Sequence, residues 1–430
     1  MQMCKIDKPI LLMISKRKHL PILLRCNIKI GLELSSGAKI CLMEIIQVVQ
    51  EFSRRGGIES VAYELDRAWR DKGARPGMMS CVYSEAHPSA HPVAPWLSRV
   101  ATRGIGRHAG RALAMPTFAA LATRRLRQMR QQGNDFVFLS HGDTLDGDVC
   151  VIHAVNRASL KAKQQDGEWR WRLNPLHAWV DYRDRAAIGG GRYRKLVAVS
   201  RRVVTELEEH YSVPPEAVEV IPNGVNLTRF SPEQNDREET RKALGIPADT
   251  SLLLFVGHEF GRKGLTFVLE ALTHLPETRL LVVGAGEIQV FRTTAARLGV
   301  GERVHFLGAR QDLPALNRAA DALVLPTAYE TFALVCIEAM ACGLPVFATN
   351  VGGVEDYLRA GVNGFPITRD GKAIAALLRP LLAQPSRLKE LGAGAFATAQ
   401  QYGWDAISKR YGNLLGEVLA TRRRSATSCA

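Results

Sequence analysis

The chain contains no run of about eighteen consecutive apolar residues, the length that a membrane-spanning helix needs. We therefore expect no transmembrane helix. The eight cysteines include no Cys-x-x-Cys pair, which argues against a disulfide framework and against a zinc site. Cys41, Cys81, Cys150 and Cys336 sit in apolar runs, so we predict buried thiols in a reducing, cytoplasmic compartment.

Acidic residues are absent between Glu85 and Asp135, in a chain whose formal net charge is +15. Basic residues concentrate in the same segment, 99–130, with apolar residues between them. They are Arg99, Arg103, Arg107, Arg111, Arg124, Arg125, Arg127 and Arg130. Two interpretations stay open: a solvated helix surface, or a basic amphipathic segment that lies on an anionic membrane.

The length of 430 residues is sufficient for two domains of ordinary size. Residues 1–38 are kept apart as an N-terminal extension, either an upstream addition or the product of a misplaced start. Basic residues divide its two apolar pieces, 10–14 and 20–24, which breaks any signal-peptide core.

Short apolar runs alternate with helical patterns from Lys39 onward. The predicted strands are 40–46, 78–83, 136–140, 149–153, 196–200, 252–257, 279–284, 304–307, 322–326 and 345–349. The predicted helices are 57–72, 118–132, 265–275, 288–298, 313–320, 332–342 and 405–419. This alternation predicts an α/β fold with two doubly wound parallel sheets, whose ligands bind at the carboxyl ends of the strands.

Two acidic residues, Glu330 and Glu338, follow the strand that ends at Pro326, and the second lies in a helix predicted to begin near Thr331 or Phe332. On one helix this spacing would separate the carboxylates by about 12 Å. That distance is too long for an acid–base couple acting on one bond. The two residues suit distant parts of one long ligand, whose oxygens the amides at the helix start would bind.

A glycine pair, Gly352-Gly353, follows the next predicted strand. The pair is expected either to bring the backbone close to a ligand or to form a plain turn.

Together these stretches resemble the signature of the retaining family-four glycosyltransferases. The elements Glu-x7-Glu, Ala-Met-Ala, Gly-x-Pro-Val and Gly-Gly occur here in the family's order, and the segments 56–59, 221–226, 262–265, 283–286 and 306–308 resemble further family landmarks. The resemblance covers residues 39–419 and is stronger in the second half. It implies the GT-B fold, in which two Rossmann-like domains face each other across a cleft.

The implied domains are an acceptor-side domain at 39–232, a donor-nucleotide-binding domain at 245–400, and a helix at 402–420 that returns to the first domain. Between the domains lies a charged stretch with Pro232 and Pro247 as breakers.

The resemblance also implies how a donor is bound. Glu338 would hold the ribose hydroxyls, and Glu330 would lie beside the donor sugar. The other implied site residues are Arg262 and Lys263 at the diphosphate, Gly257 before them, the amides of Phe332, Ala333 and Leu334 at the sugar, and Gly56 and Gly57 in the glycine loop of the first domain. The donor would be a nucleoside diphosphate sugar, UDP- or GDP-linked, and the reaction would need no cofactor and no metal.

Two residues depart from the family pattern. His258 stands where the family often has arginine, and Ala333 stands where it usually has glycine. The methyl group of Ala333 is expected to narrow the donor-sugar pocket slightly.

His153, at the end of a predicted strand, is the remaining candidate site residue, and it would bind donor sugar or acceptor unless it is a hydrogen-bonded structural histidine. His141 is a weaker rival for the same role. Asp146 and Asp148 fit the Asp-x-Asp pattern of metal-dependent glycosyltransferases, but that pattern belongs to another fold, so we predict no metal site.

The sequence therefore predicts a metal-independent retaining glycosyltransferase. Its acceptor would be a glycan or a lipid-linked acceptor in cell-surface polysaccharide biosynthesis, met at the inner face of the plasma membrane through segment 99–130. The alternatives are a GT-B-fold phosphorylase or epimerase, and a basic protein that binds nucleic acid or membrane without catalysis. No nucleic-acid-binding motif is present, so we expect no nucleic-acid partner.

Overall fold

The computed structural model describes residues 44–54, 56–97, 107–133, 135–167, 170–234 and 236–427. The extension 1–38 and the arginines at positions 99 and 103 lie outside the described residues. Within the described residues, no helix combines the length and the apolar character needed to cross a bilayer.

The first half of the chain builds a seven-stranded parallel sheet with the order β5-β3-β1-β6-β7-β8-β9, beside a small β2–β4 pair. The strands are β1 (Glu44–Val48), β2 (Glu51–Phe52), β3 (Gly77–Ser80), β4 (Val82–Tyr83), β5 (Ala90–Pro92), β6 (Phe136–Ser140), β7 (Gly147–Ile152), β8 (Tyr193–Ala198) and β9 (Val218–Val220). The helices are α1 (Gly57–Arg70), α2 (Arg107–Gln131), α3 (Asn156–Gln165), α4 (Pro175–Asp184) and α5 (Arg201–Tyr211).

The second half builds a six-stranded parallel sheet with the order β12-β11-β10-β13-β14-β15. Its strands are β10 (Ser251–Val256), β11 (Thr278–Val283), β12 (Val304–Gly308), β13 (Ala322–Leu325), β14 (Val346–Ala348) and β15 (Gly364–Pro366). The helices are α6 (Arg237–Ala243), α7 (Leu265–Thr273), α8 (Ile288–Arg297), α9 (Leu313–Ala319), α10 (Leu334–Ala341), α11 (Val354–Tyr357), α12 (Gly371–Leu382), α13 (Pro385–Ala399) and α14 (Trp404–Thr427).

The predicted fold class is confirmed, since both sheets are parallel and carry helices between their strands. The central strands β1 and β10 are buried on both faces after their first residue, as expected for the interior of a parallel sheet covered by helices. The boundaries 39–232 and 245–400 stay predictions, because core residues of both halves belong to one continuous hydrophobic cluster.

Several elements differ from the prediction. The strand predicted at 78–83 is interrupted at Cys81, whose amide bonds to the carbonyl of Gln50 and lets the chain change sheets. The helix predicted at 118–132 begins earlier, at Arg107, despite Pro116 inside it. Edge strands β5, β9 and β15 carry too few apolar residues to be recognised from periodicity.

Strands β6 and β7 are joined by residues 141–146 alone, without the helix that usually connects parallel neighbours. The last described helix, α14, packs against the first half of the chain. Trp69 of α1 donates from its indole nitrogen to the carbonyl of Ser408 at 3.1 Å, and Arg422 donates to the carbonyl of Phe136 at 2.7 Å.

Candidate active site

Lys263 and Glu330 form a buried ion pair at the carboxyl end of the second sheet. The Lys263 ammonium donates to Glu330 Oε1, and the two side chains are only 12% and 11% exposed. Thr327 Oγ1 donates to the same carboxylate oxygen at 3.2 Å. The loop between β13 and α10 therefore holds its acidic residue against a cation from the β10–α7 loop.

Arg262 lies beside this pair with both ends of its guanidinium engaged. Its Nε donates to Glu259 at 2.6 Å, another nitrogen donates to the carbonyl of Tyr329, and it lies 3.9 Å from Glu330. Glu259 also pairs with Lys163 of the first half at 3.3 Å. Three cations and two carboxylates thus alternate around the site predicted for a diphosphate.

Two glycines make this packing possible. A Cβ on Gly257 would lie 2.9 Å from the side chain of Lys263, and a Cβ on Gly352 would lie 1.8 Å from the carbonyl oxygen of Glu330. Gly257 therefore clears a path for the lysine stem. Gly352 approaches the loop that carries Glu330, so its closest contact is with the protein backbone. One of the two alternatives predicted for the Gly352-Gly353 pair was a close approach to a ligand.

The helix that carries Glu338 begins at Leu334, two or three residues later than predicted. Ala333 precedes it in the left-handed conformation, with φ of 60° and ψ of 66°, and is buried. In the described part of the chain, no acceptor pairs with the amides of Phe332, Ala333 or Leu334. These unbonded donors lie at the positive end of a helix, where an anion or a hydroxyl oxygen is favoured.

Glu338 lies half-buried and apart from the Lys263 cluster. Among the described residues, none forms a hydrogen bond or an ion pair with the Glu338 carboxyl group. Burial raises the pKa of Glu338 to about 7, with Arg229 opposing the rise and Glu64 adding to it. An unpaired carboxyl group in this position is ready to accept hydrogen bonds from hydroxyl groups of a ligand.

Tyr329 and Thr331, which flank Glu330, contact the first half of the chain. The Tyr329 hydroxyl lies 3.0 Å from Glu206 Oε2 and 3.4 Å from the backbone nitrogen of Val155, and Thr331 Oγ1 donates to the carbonyl of His153 at 2.7 Å. None of these contacts was predicted, because nothing in the motif indicates partners more than a hundred residues away.

His153 and His141, predicted as alternative candidates for one role, are neighbours in one hydrogen-bonded pair. His141 Nδ1 lies 3.0 Å from His153 Nε2, and the rings stack with centroids 5.3 Å apart. Burial lowers the pKa of His153 to about 4, and it also lowers the pKa of His141. Both rings are therefore neutral at neutral pH.

A cavity of about 150 Å³ lies next to this histidine pair, where the β6–β7 connection lacks a helix. Polar groups on its walls include Asp143 and Arg183, and Ile58 of α1 and Met115 of α2 also line it. Gly56 and Gly57 lead into α1 directly before Ile58, so the predicted glycine loop adjoins the cavity. The cavity combines acceptors and donors, as the binding of a polar, hydroxylated group requires.

The remaining candidates take structural positions. The His258 ring accepts a hydrogen bond from the amide of Ala285 at 3.2 Å. Asp146 and Asp148 pair with Arg127 and Arg130 of α2. Among the described residues, no group of three or more metal-ligating side chains could hold a metal ion.

Two family models match most of the chain. One, described as Glycosyltransferase Family 4, matches residues 55–229, and the other, described as Glycosyl transferases group 1, matches residues 236–397.

Curated relatives give partial matches. A D-inositol 3-phosphate glycosyltransferase of Streptomyces bingchenggensis is 35% identical over 247 residues, which is 54% of this chain and 54% of the relative. The lipopolysaccharide glucosyltransferase WaaG of Escherichia coli is 36% identical over 218 residues, 49% of this chain and 56% of the relative. The chain thus spans little more than half the length of these curated relatives.

Solved structures share the fold over a longer stretch. The crystal structure of WaaG, a glycosyltransferase involved in lipopolysaccharide biosynthesis, gives a TM-score of 0.70 at 23% identity and covers 86% of this chain and 99% of its own. Anabaena HepE in complex with UDP and glucose gives a TM-score of 0.65 at 20% identity, with 87% and 99% covered. Both likenesses support two facing parallel-sheet domains of the GT-B type.

Proposed function

We propose that this chain, which belongs to the family-four glycosyltransferases of the GT-B fold, transfers a sugar from a nucleoside diphosphate donor to a hydroxyl group with retention of configuration. The observation that carries the proposal is the Lys263–Glu330 pair beside Arg262 and the free amides at the start of α10. This is a place where cations and amide donors converge on one edge of a parallel sheet.

The donor diphosphate would take the place that Glu330 and Glu259 now hold at Lys263 and Arg262. Arginine's planar fork suits phosphate oxygens, and both cations are largely shielded from water, which strengthens their attraction for charge. The amides of Phe332, Ala333 and Leu334 would bind the donor sugar, with Gly257 opening the loop beneath it. Glu338, the unpaired carboxyl group, would accept from the ribose hydroxyls.

The chemistry depends on charge that develops on the leaving group. When the bond from the anomeric carbon to the phosphate oxygen breaks, the nucleoside diphosphate gains negative charge. Lys263 and Arg262, already fixed in position, would stabilise that charge without a metal ion. Glu330 would be released toward the sugar. Contacts of Tyr329 and Thr331 across the cleft would hold the donor loop closed and exclude water.

The acceptor would bind on the first half of the chain, near His153 and the adjoining cavity. Its class is a glycan or a lipid-linked acceptor in cell-surface polysaccharide biosynthesis, in keeping with the involvement of WaaG in lipopolysaccharide biosynthesis. Helix α2 supports contact with an anionic membrane from the cytoplasmic side, because Leu113, Leu121, Arg124 and Arg125 are all exposed on it. Arg127 and Arg130 are less available, since they pair with Asp146 and Asp148.

The test is nucleotide-sugar consumption by the full chain with a panel of UDP- and GDP-sugars. Thermal stabilisation identifies the donor, because a ligand that binds the folded state raises the melting temperature. Lys263→Ala and Glu338→Ala should abolish both stabilisation and turnover, while Lys372→Ala, at an exposed position of α12, should change neither. Wild-type turnover in the two site variants would contradict the proposal. NMR of the product's anomeric configuration tests retention.

A further inference from the structure

The hydrogen bonds of the stacked pair His141 and His153 determine which nitrogen of each ring carries the proton. Each neutral imidazole has one N–H and one lone pair, so locating a single proton determines the whole chain of bonds. His141 is 2% exposed and uses both ring nitrogens, one toward His153 and one toward Gln47 at 2.9 Å.

Gln47 locates that proton. Its amide nitrogen donates to the carbonyl of Ala62 at 3.3 Å, which turns its amide oxygen toward His141 Nε2. An amide oxygen only accepts, so His141 Nε2 carries the proton and His141 Nδ1 is a lone pair. His153 must therefore donate from Nε2. The Nδ1 atom of His153 is left as a lone pair with no hydrogen-bond partner among the described residues.

We propose that Gln47 and His141 are positioning residues that hold His153 as its Nε2–H tautomer and leave its Nδ1 to accept a hydrogen bond from a sugar hydroxyl. The identity of that hydroxyl rests on the proposed function, whereas the tautomer does not. The His153 ring lines the first-sheet cavity, and its backbone carbonyl receives Thr331 of the Glu330 loop. His153 thus lies where donor loop and acceptor-side cavity meet.

This arrangement limits what His153 does. With Nε2 committed to His141, the ring offers a substrate only an acceptor, and it cannot supply a proton to a leaving group. It therefore selects for a ligand that presents a hydroxyl or amide N–H at that point, and it disfavours a ligand that presents an unprotonated oxygen there.

Imidazole ¹⁵N NMR of the full-length chain at pH 7.5 tests the tautomer directly. The His153 signals are identified by their loss in His153→Gln. We expect a protonated Nε2 and a bare Nδ1 for both His153 and His141. A proton on His153 Nδ1 would overturn the proposal.

A matched pair of variants tests the positioning. His141→Asn places an amide oxygen close to the position of the Nδ1 atom and keeps an acceptor for His153, whereas His141→Leu removes it. We expect His141→Leu to give a mixed His153 tautomer and at least a tenfold loss of kcat, with UDP affinity unchanged because UDP lacks the transferred sugar that would meet His153. His141→Asn should keep the tautomer and stay within about threefold of wild-type kcat.

Gln47→Leu provides a second test that leaves both histidines in place, and it should also give a mixed His153 tautomer. Equal behaviour of His141→Leu and His141→Asn in tautomer and kcat would overturn the positioning role. A wild-type chain with the expected tautomer that consumes no nucleotide sugar contradicts the proposed function alone.

Discussion

The ammonium group of Lys263 donates to the carboxylate of Glu330, and neither side chain is more than 12% exposed. Because each charge depends on the other for its burial, removing one alone should destabilise the fold by about 3 kcal/mol. We expect Lys263→Met and Glu330→Gln each to show this loss in urea denaturation. The double variant should recover most of it, because no unpaired charge remains.

The control for this cycle is Arg310→Met, which breaks an ion pair with Asp312 whose two side chains are about 40% exposed. An exposed pair of this kind contributes less than about 1 kcal/mol. Strictly additive losses in the Lys263 and Glu330 double variant would show that the two residues are not coupled. Lys263→Met and Glu330→Gln should each also lower donor turnover by about a hundredfold.

Nucleotide binding should depend on pH through Glu338, whose pKa is raised to about 7 by burial. Hydroxyl groups donate best to the ionised carboxylate, so UDP affinity should rise from pH 6 to pH 8, by at most about tenfold per pH unit. Calorimetry at pH 6, 7 and 8 measures the slope, with proton release as a second readout. Glu338→Gln should bind more weakly at pH 8 and lose the slope.

The same raised pKa has a stability consequence of defined sign. The folded chain without ligand binds the Glu338 proton more tightly than the unfolded chain does. The resulting contribution to the free energy of unfolding is complete below the unfolded pKa of about 4.3 and is lost as the pH rises through 7. The melting temperature of the wild type should therefore fall relative to Glu338→Gln between pH 5 and pH 8. A constant difference across that range would contradict the assignment.

Ala333→Gly should stabilise the protein. Ala333 adopts φ of 60°, a left-handed conformation that costs a residue with a Cβ roughly 1–2 kcal/mol. Glycine removes that cost and loses about half of the gain to unfolded-state entropy, so we expect a net stabilisation of about 0.5–1 kcal/mol. Ala339→Gly, inside the helix that follows Ala333, is the control and should destabilise by about 1 kcal/mol. If both variants destabilise, the strain at Ala333 is absent.

Tyr329→Phe should loosen the contact between the two halves of the chain. The hydroxyl lies 3.0 Å from Glu206 Oε2 and 3.4 Å from the Val155 amide. Its loss leaves the Val155 amide without this partner, while Glu206 keeps its ion pair with Arg202, so we expect a cost of about 1–3 kcal/mol. Hydrogen exchange at Val155 should become at least about fivefold faster, and kcat should fall. Tyr182→Phe, whose ring is 60% exposed, should change neither.

The sequence predicted those features that depend on short-range pattern. The apolar runs of β10 and β13 and the periodicity of α7 and α10 identified the second sheet to within a residue or two. The start of α10 was placed too early, because a left-handed Ala333 breaks the helix at a residue whose side chain favours helix. Propensity alone cannot indicate such a conformation, which the surrounding backbone imposes.

In the candidate site, too, the residues were predicted from the sequence and the long-range contacts were not. Glu330 was chosen from the loop after one strand, and the family resemblance assigned Arg262 and Lys263 after another; the structure brings the three together. Their mutual ion pairing was not predicted, nor were the contacts of Tyr329 with Glu206 and Val155. Those contacts join elements far apart in the chain, so only the folded topology brings them together.

Helix α14 packs against α1 and the first sheet, although it is synthesised after the whole second sheet. The Trp69 indole donates to Ser408 of this helix, and the Phe136 carbonyl accepts from its Arg422. During synthesis, which adds roughly 5–20 residues per second, the first half therefore waits for many seconds with its α1 surface uncovered. The nascent chain is most exposed to proteolysis and aggregation in that interval, so the two halves mature together although one is made well before the other.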